Sequence, residues 1–327
     1  MAVEVIVHDS AALKGNPLGD EAVRKLHLIV PDDLDPATPV PCLWYLAGYA
    51  GVGRSMLSHD PWQEGLEERL VRLREEGRIG PMIVALPDAF TKLGGCQYLS
   101  SPAVGDYETY LLEELPAVVG ERYTIRSHGI AGKSSGGYGA IVHAMRRPDL
   151  FDAVACHSGD MGFELSLMPD LPQLMNALRD HGGVEKLVAS FDRAIKKKSG
   201  RWFGPLSMLA LCAVYSPDAS SPLGIGLPFD LDRGTLIPER LDQWRAWDPV
   251  HMIDAAAHVE ALKAMKLVFI DCGKRDEHAL HWGALAFHRK LEDAGVEHVY
   301  ETFDDGHRGT GYRLDESLPR LYAALCE

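Results

Sequence analysis

The sequence predicts an α/β fold: a mostly parallel central sheet with helices on both faces, interrupted once by a mainly helical insertion. Three observations carry this. Short, fully apolar runs such as CLWYL (Cys42 to Leu46) and MIVAL (Met82 to Leu86) read as strands covered on both faces. Segments with apolar residues at helical spacing lie between such runs, as a parallel sheet wound with crossover helices requires. The alternation stops over residues 160–248 and then resumes, so the chain is read as one domain, 1–327, with 160–248 inserted in it.

Val3 to His8 and Lys25 to Val30 read as opening strands, rich in Val, Ile and Leu and bounded by turn residues. After the buried run 42–46 comes a glycine-rich loop, Ala47-Gly48-Tyr49-Ala50-Gly51, then a helix with Trp62, Leu66, Leu70 and Leu73 on one face. Strand 82–86 runs into an irregular segment, Thr91 to Gly105. Tyr107, Tyr110, Leu111, Leu115 and Val118 mark the next helix, and Ile130-Ala131 a short strand. Tyr138, Ile141, Val142 and Met145 are again helical, and FDAVAC (Phe151 to Cys156) is a strand. Within the insertion, two amphipathic helices are expected around Leu171–Leu178 and Val184–Ile195. Trp202 to Tyr215 is expected as a buried helix, and Ser216 to Pro238 as an extended loop. Strand Lys266 to Asp271, helix Ala279 to Ala294, strand Glu297 to Thr302 and a leucine-striped closing helix complete the pattern.

One stretch sits where such a sheet does chemistry. Gly132-Lys133-Ser134-Ser135-Gly136 fits G-x-S-x-G, the nucleophile elbow of α/β-hydrolases, and it lies between a strand and a helix. The turn exposes its serine, while small residues two positions to either side let strand and helix backbones pass closely. Ser134, not Ser135, has glycine at both positions, since Lys133 stands two residues before Ser135. A serine hydroxyl needs a base, and the base needs an acid to orient it; on this fold the order is Ser, acid, His. Strand 266–271 leads into CGKRDE and strand 297–302 into FDDGHRG, both at the sheet edge where open α/β folds bind ligands. His307 is the expected base. Asp276 is the expected acid, with Glu277 the alternative and Asp271 a strand-end carboxylate. His281, His288 and His298 fall on a helix or strand and read as structural. His278 and His281 with Glu277 lack a third metal ligand at a sensible spacing, so no metal is expected. Tyr49 and Ser135 are expected to supply backbone N–H donors for an oxyanion.

Composition narrows the partners. A formal net charge of −14, with Lys196-Lys197-Lys198 the only basic run, argues against nucleic acid or an anionic membrane. No apolar run approaches the ~20 residues of a membrane span. The start of the chain lacks the pattern of a signal peptide, and the six cysteines are scattered without a C-x-x-C pair. A cytoplasmic protein with reduced thiols and no organic cofactor is expected.

The stretch AGKSSGGYGAIVHAMRRPDLFDAVACHSG (Ala131 to Gly159) resembles the elbow region of the esterase D family, which includes S-formylglutathione hydrolases, feruloyl and enterochelin esterases, and mycolyltransferases. WYLAGYAG, the region from Gly94 to Pro116, CGKRDE and DDGHRG are similar to its other blocks, in the same order. The resemblance implies Ser134 as nucleophile, Asp276 as acid, His307 as base, and Tyr49 with Ser135 as oxyanion hole. Two departures stand out. Ala47-Gly48 replaces the usual His-Gly or Ser-Gly, and Lys133 and Ser135 flank the nucleophile where His and Met are common.

The sequence therefore points to a serine hydrolase acting on a small carboxylic ester or thioester. Acyl transfer to an alcohol on the same triad is the alternative, and a non-catalytic binding module on this fold is a third reading. A nucleotide-binding P-loop fails, because its first glycine would fall on Ser127. The apolar, methionine-containing block 160–248 is expected to serve as a lid or as a dimer interface.

Overall fold

The computed structural model describes all 327 residues. Its core is an eight-stranded sheet: β1 (Ala2–Asp9), β2 (Val23–Val30), β3 (Val40–Leu46), β4 (Ile83–Leu86), β5 (Ile125–Lys133), β6 (Ala153–His157), β7 (Leu267–Gly273) and β8 (Val299–Phe303). The spatial order is β1-β2-β4-β3-β5-β6-β7-β8. The β1–β2 and β2–β4 pairings are antiparallel and the rest parallel. Strands β3, β4 and β6 are buried at every residue, which explains why their sequences are continuous apolar runs. β1 lies at the edge and alternates, leaving Val3, Val5 and Val7 exposed.

Helices cover both faces. The ones that bear on the site are α1 (Leu66–Glu75), α2 (Ser135–Arg146), α3 (Leu171–His181), α4 (Val184–Asp192), α5 (Gly200–Tyr215), α6 (Leu280–Ala294) and α7 (Leu314–Cys326). The segment from Tyr107 to Gly120 is also helical, with a π-turn at Tyr110–Glu114. Leu66, Leu70 and Leu73 of α1 pack with Leu314, Leu318 and Leu321 of α7 on one face of the sheet. The other face carries a larger apolar cluster in which β-strand residues and insertion residues such as Leu174, Leu187 and Leu209 are continuous. At ~25 cal/mol per Å² of apolar area, clusters of this kind are the main source of stability. No helix is long and apolar enough to cross a membrane.

Three local expectations are corrected. Trp62 is 92% exposed, because α1 starts only at Leu66 and the preceding residues form a turn. Ile195 is likewise exposed, beyond the end of α4 at Asp192. β5 begins at Ile125 and is much longer than the Ile130-Ala131 core; Arg126, Ser127 and His128 break the apolar pattern there, yet Ile125, Ser127 and His128 pair with Val40, Pro41 and Cys42 of β3, and Arg126 is skipped where the register shifts. The Ser216–Pro238 loop carries a two-residue antiparallel ribbon at Phe229–Asp230 and Thr235–Leu236. All six cysteines are free thiols, five of them buried.

Candidate active site

The loops leaving the carboxyl ends of β3 to β8 surround a cavity of about 640 Å³, and the elbow forms its floor. Ser134 sits between the last residue of β5 and the first of α2 with φ 58° and ψ −125°, a conformation that costs a side-chain-bearing residue ~1–3 kcal/mol. The flanking glycines are sterically required. A Cβ on Gly132 would lie 2.4 Å from the Gly136 carbonyl, and one on Gly136 would lie 2.0 Å from the Leu46 carbonyl oxygen. The strand–turn–helix thus closes against β3 only with glycine at both positions. Ser134 N–H is also fixed, donating to His157 O at 3.0 Å at the end of β6.

Asp276 follows β7 and its side chain is fully buried. Its Oδ2 accepts the hydrogen bond from His307 Nδ1 at 2.7 Å, and its Oδ1 accepts from the His278 backbone N–H at 2.9 Å. Burial pushes the Asp276 carboxyl up, but the bond and charge of His307 and the His278 N–H outweigh it and hold the carboxyl below its usual range. Glu277 is exposed and touches the same loop differently, accepting the His307 backbone N–H at 2.6 Å. Of the two adjacent carboxylates, Asp276 reaches the imidazole and Glu277 braces the loop carrying it. With Nδ1 donating to a carboxylate, His307 has its Nε2 lone pair free to act as a base. Ser134 and His307 line the same cavity without a hydrogen bond between them; such contacts commonly tighten only with substrate.

Two backbone N–H groups flank the serine. Ser135 opens α2, so its N–H has no acceptor within the helix. Tyr49 N–H has no acceptor in the protein either, and its loop abuts the elbow: a Cβ on Gly48 would sit 3.5 Å from Ser134 Cβ. The Tyr49 hydroxyl donates to Leu93 O at 2.6 Å and its ring meets Phe203 edge-on, which fixes the loop.

Sequence reasoning missed several residues of this region. His157 bonds through Nδ1 to Asp271 Oδ1 (2.8 Å) and through Nε2 to Ser317 Oγ (3.0 Å), all three buried beneath the elbow, and Arg313 Nε donates to the other Asp271 oxygen at 2.9 Å. Asp271, expected as a structural carboxylate, is that. Asp160 and Gln97 line the cavity next to Ser135; Gln97 lies in the Gly94–Pro116 block, but neither residue is given a role by the sequence. Lys133 also lines it, with no carboxylate within ion-pair distance; burial pushes its ammonium down. His278 packs edge-on against His307, with ring centroids 4.9 Å apart. His288 Nδ1 and His298 Nε2 are 2.7 Å apart, away from the cavity. Glu164, Asp248 and His251 bring donor atoms within 4.8 Å of one another, but Asp248 is spent on the N–H groups of Gly162, Phe163 and Val250, and Glu164 on Arg245.

The family of esterases described as "Putative esterase" matches residues 21–317. The chain belongs to that family. It is a carboxylic ester hydrolase. Solved structures with the same fold include an S-formylglutathione hydrolase from Agrobacterium tumefaciens (TM-score 0.60, 16% identity, 99% of this chain and 95% of that one). Another is the fluorophosphonate-binding serine hydrolase F of Staphylococcus aureus with substrate bound (0.59, 18%, 100% and 98%). A third is a ferulic acid esterase from Anaeromyces mucronatus in complex with ferulic acid (0.55, 18%, 99% and 92%). At these identities the likeness is one of fold, an α/β-hydrolase with a mostly parallel sheet. No curated protein sequence matches the chain.

Proposed function

We propose that this esterase cleaves a small carboxylic ester or thioester through an acyl-enzyme on Ser134, with His307 as base and Asp276 as the carboxylate that orients it. The observation that carries the reading is the His307 ring, bonded through Nδ1 to the fully buried Asp276 carboxylate, beside a cavity whose floor is the strained Ser134. In this mechanism Ser134 Oγ attacks the carbonyl carbon as His307 Nε2 takes the hydroxyl proton. The tetrahedral oxyanion is held by Tyr49 and Ser135 N–H. Its collapse expels the alcohol or thiol, which takes the proton back from His307. Water then repeats the sequence and releases the acid. Losing one oxyanion donor typically costs about 2.7–4 kcal/mol of transition-state stabilisation.

The insertion supports a role in binding, since Phe203, Gly204, Ser207, Met208 and Leu211 of α5 wall the cavity. The test is a series of p-nitrophenyl esters of increasing acyl length, an aryl ester and a thioester, assayed beside Ser134→Ala. Mass spectrometry of a fluorophosphonate adduct would locate the nucleophile. Ser134→Ala is expected to be inactive and unlabelled; full activity in that variant overturns the mechanism.

A further inference from the structure

Asp160 leaves the end of β6 two residues after Ser158 and is buried, with 8% of its surface exposed, yet no cation lies within ion-pair distance. Taking a carboxylate out of water without a counter-charge is costly, so each of its oxygens needs an account. One oxygen has partners: Oδ2 accepts from Gln97 Nε2 at 2.9 Å and from Ser135 Oγ at 3.4 Å. Oδ1 has no hydrogen-bond partner in the protein, and it is not sealed away from the cavity as the unpartnered Gln97 Oε1 is.

The brace on Oδ2 is itself elaborate. Gln97 is buried and holds a left-handed backbone (φ 53°), followed by Tyr98 at φ 61°. Its amide NH2 reaches both Asp160 and the Tyr215 hydroxyl, 3.1 Å away at the end of α5. The carboxylate dictates that orientation, which leaves Gln97 Oε1 buried without a donor. Two strained residues and an unpaired amide oxygen are thus tolerated around one carboxylate beside the nucleophile's neighbour. Burial pushes the Asp160 carboxyl above its usual range despite the Gln97 bond and the nearby His307 and His278 rings. The insertion continues the polar lining with Ser166, Gln173 and Ser207.

We infer that Asp160, braced by Gln97, is a specificity determinant that accepts a hydrogen bond from a hydroxyl or ammonium group carried by the substrate close to the scissile carbonyl. The cleaved ester is then a hydroxylated or amino-substituted one, not a plain alkyl or aryl ester. This rests on the Ser134 esterase reading and refines it. A carboxylate acceptor is the right chemistry for such discrimination: a substrate lacking the donor leaves the buried oxygen unpaired, whereas an extra methylene in an apolar wall is weakly sensed.

The experiment compares kcat/KM for matched pairs: p-nitrophenyl 3-hydroxybutanoate against butanoate, p-nitrophenyl β-alaninate against propanoate, and glyceryl against propyl butanoate. The pairs distinguish a hydroxyl from an ammonium and an acyl-side from an alcohol-side group. At least one polar member is expected to be preferred by about ten- to a hundredfold. Asp160→Asn and Gln97→Met are expected to collapse that ratio. A purely structural Asp160 would instead lower all substrates together, and that result overturns the inference, as does an absence of preference in every wild-type pair. Should Asp160→Asn fail to fold, Gln97→Met decides by the same ratio. If no ester is turned over at all, the esterase reading itself fails, an outcome separate from equal turnover of polar and plain esters.

Discussion

Asp276→Asn separates an orienting carboxylate from a merely buried one, and the structure sets the size of the effect. The side chain has two oxygens with different duties: Oδ1 accepts from the His278 backbone N–H at 2.9 Å, and Oδ2 accepts from His307 Nδ1 at 2.7 Å. An asparagine keeps the shape but has only one acceptor. The peptide N–H of His278 can only donate, so the amide oxygen stays on it and the NH2 turns toward His307. Nδ1 must then accept, the ring proton moves to Nε2, and the base facing the serine is lost. A wrong-tautomer substitution of this kind costs about 10⁴ in kcat, or about 5 kcal/mol. Glu277→Gln tests the neighbour. Its Oε2 accepts the His307 backbone N–H at 2.6 Å, an interaction a glutamine oxygen retains, so less than about tenfold should be lost. The assay is kcat and kcat/KM on p-nitrophenyl acetate, with melting temperature followed for each variant. If Asp276→Asn stays within tenfold of the parent, or Glu277→Gln falls as far, the assignment of the acid is refuted.

Further outcomes follow from the same geometry. Gly136→Ala places a Cβ 2.0 Å from Leu46 O, and the displaced elbow should lose about a hundredfold in kcat/KM with a lower melting temperature. Ser134→Gly should abolish turnover yet melt no lower than Ser134→Ala, because glycine relieves the φ 58° strain that alanine keeps; a clearly lower value would show that the elbow stores no strain. His143 is buried in α2 with Nε2 on Tyr98 O at 2.9 Å, and burial lowers its pKa to about 4. The folded state therefore resists protonation that the unfolded chain accepts: stability is full above pH ~6.5 and falls by up to about 3 kcal/mol as pH drops toward 4. His143→Gln should flatten urea-melt free energies over that range, and an unchanged slope would exclude this histidine as the cause.

The legible parts of this protein are those where one physical demand fixes residue type. Strands covered on both faces must be apolar throughout, so β3, β4 and β6 announce themselves. The elbow must have glycine where Gly132 and Gly136 stand, because a Cβ at either position meets backbone within 2.4 Å. The positions of the Asp276 and His307 loops, after β7 and β8, follow from strand order. What stayed hidden depends on contacts between distant segments. Nothing local shows that Asp160 and Gln97, 63 residues apart, meet; only the fold joins them. His157 lies one residue beyond the apolar run FDAVAC, and only the fold brings Asp271 and Ser317 onto its ring. Asp276 and Glu277 are inseparable in the sequence, since a one-residue step in a turn decides which carboxylate faces the imidazole. Trp62 misleads in the other direction, a large apolar residue at helical spacing that lies before the helix begins.

Backbone strain is concentrated at the edge of the sheet that carries the cavity. Seven non-glycine residues have positive φ: Ala50, Gln97, Tyr98, Ser134, Ser158, Leu223 and Ala279. Leu223 lies in the insertion. The other six fall on the loops that leave the carboxyl ends of β3, β4, β5, β6 and β7, one or two per loop, and none lies at the opposite edge of the sheet. Each such residue costs of order 1–3 kcal/mol and persists only where neighbouring contacts over-determine it. Those contacts are present: Ala50 N–H is held by Gly94 O, Ser158 N–H by Asp271 O, Ser134 N–H by His157 O, and Ala279 N–H by Asp276 O. The partners are themselves loop or strand-end residues of the same edge, so the strained loops support one another around the cavity. A scaffold selected only for stability would spread such residues or replace them with glycine. Their concentration on one edge places the elbow, the carboxylate of Asp276 and the Gln97–Asp160 brace in a single mutually dependent structure. Relaxing any one loop should therefore be felt at the serine before it is felt in the fold.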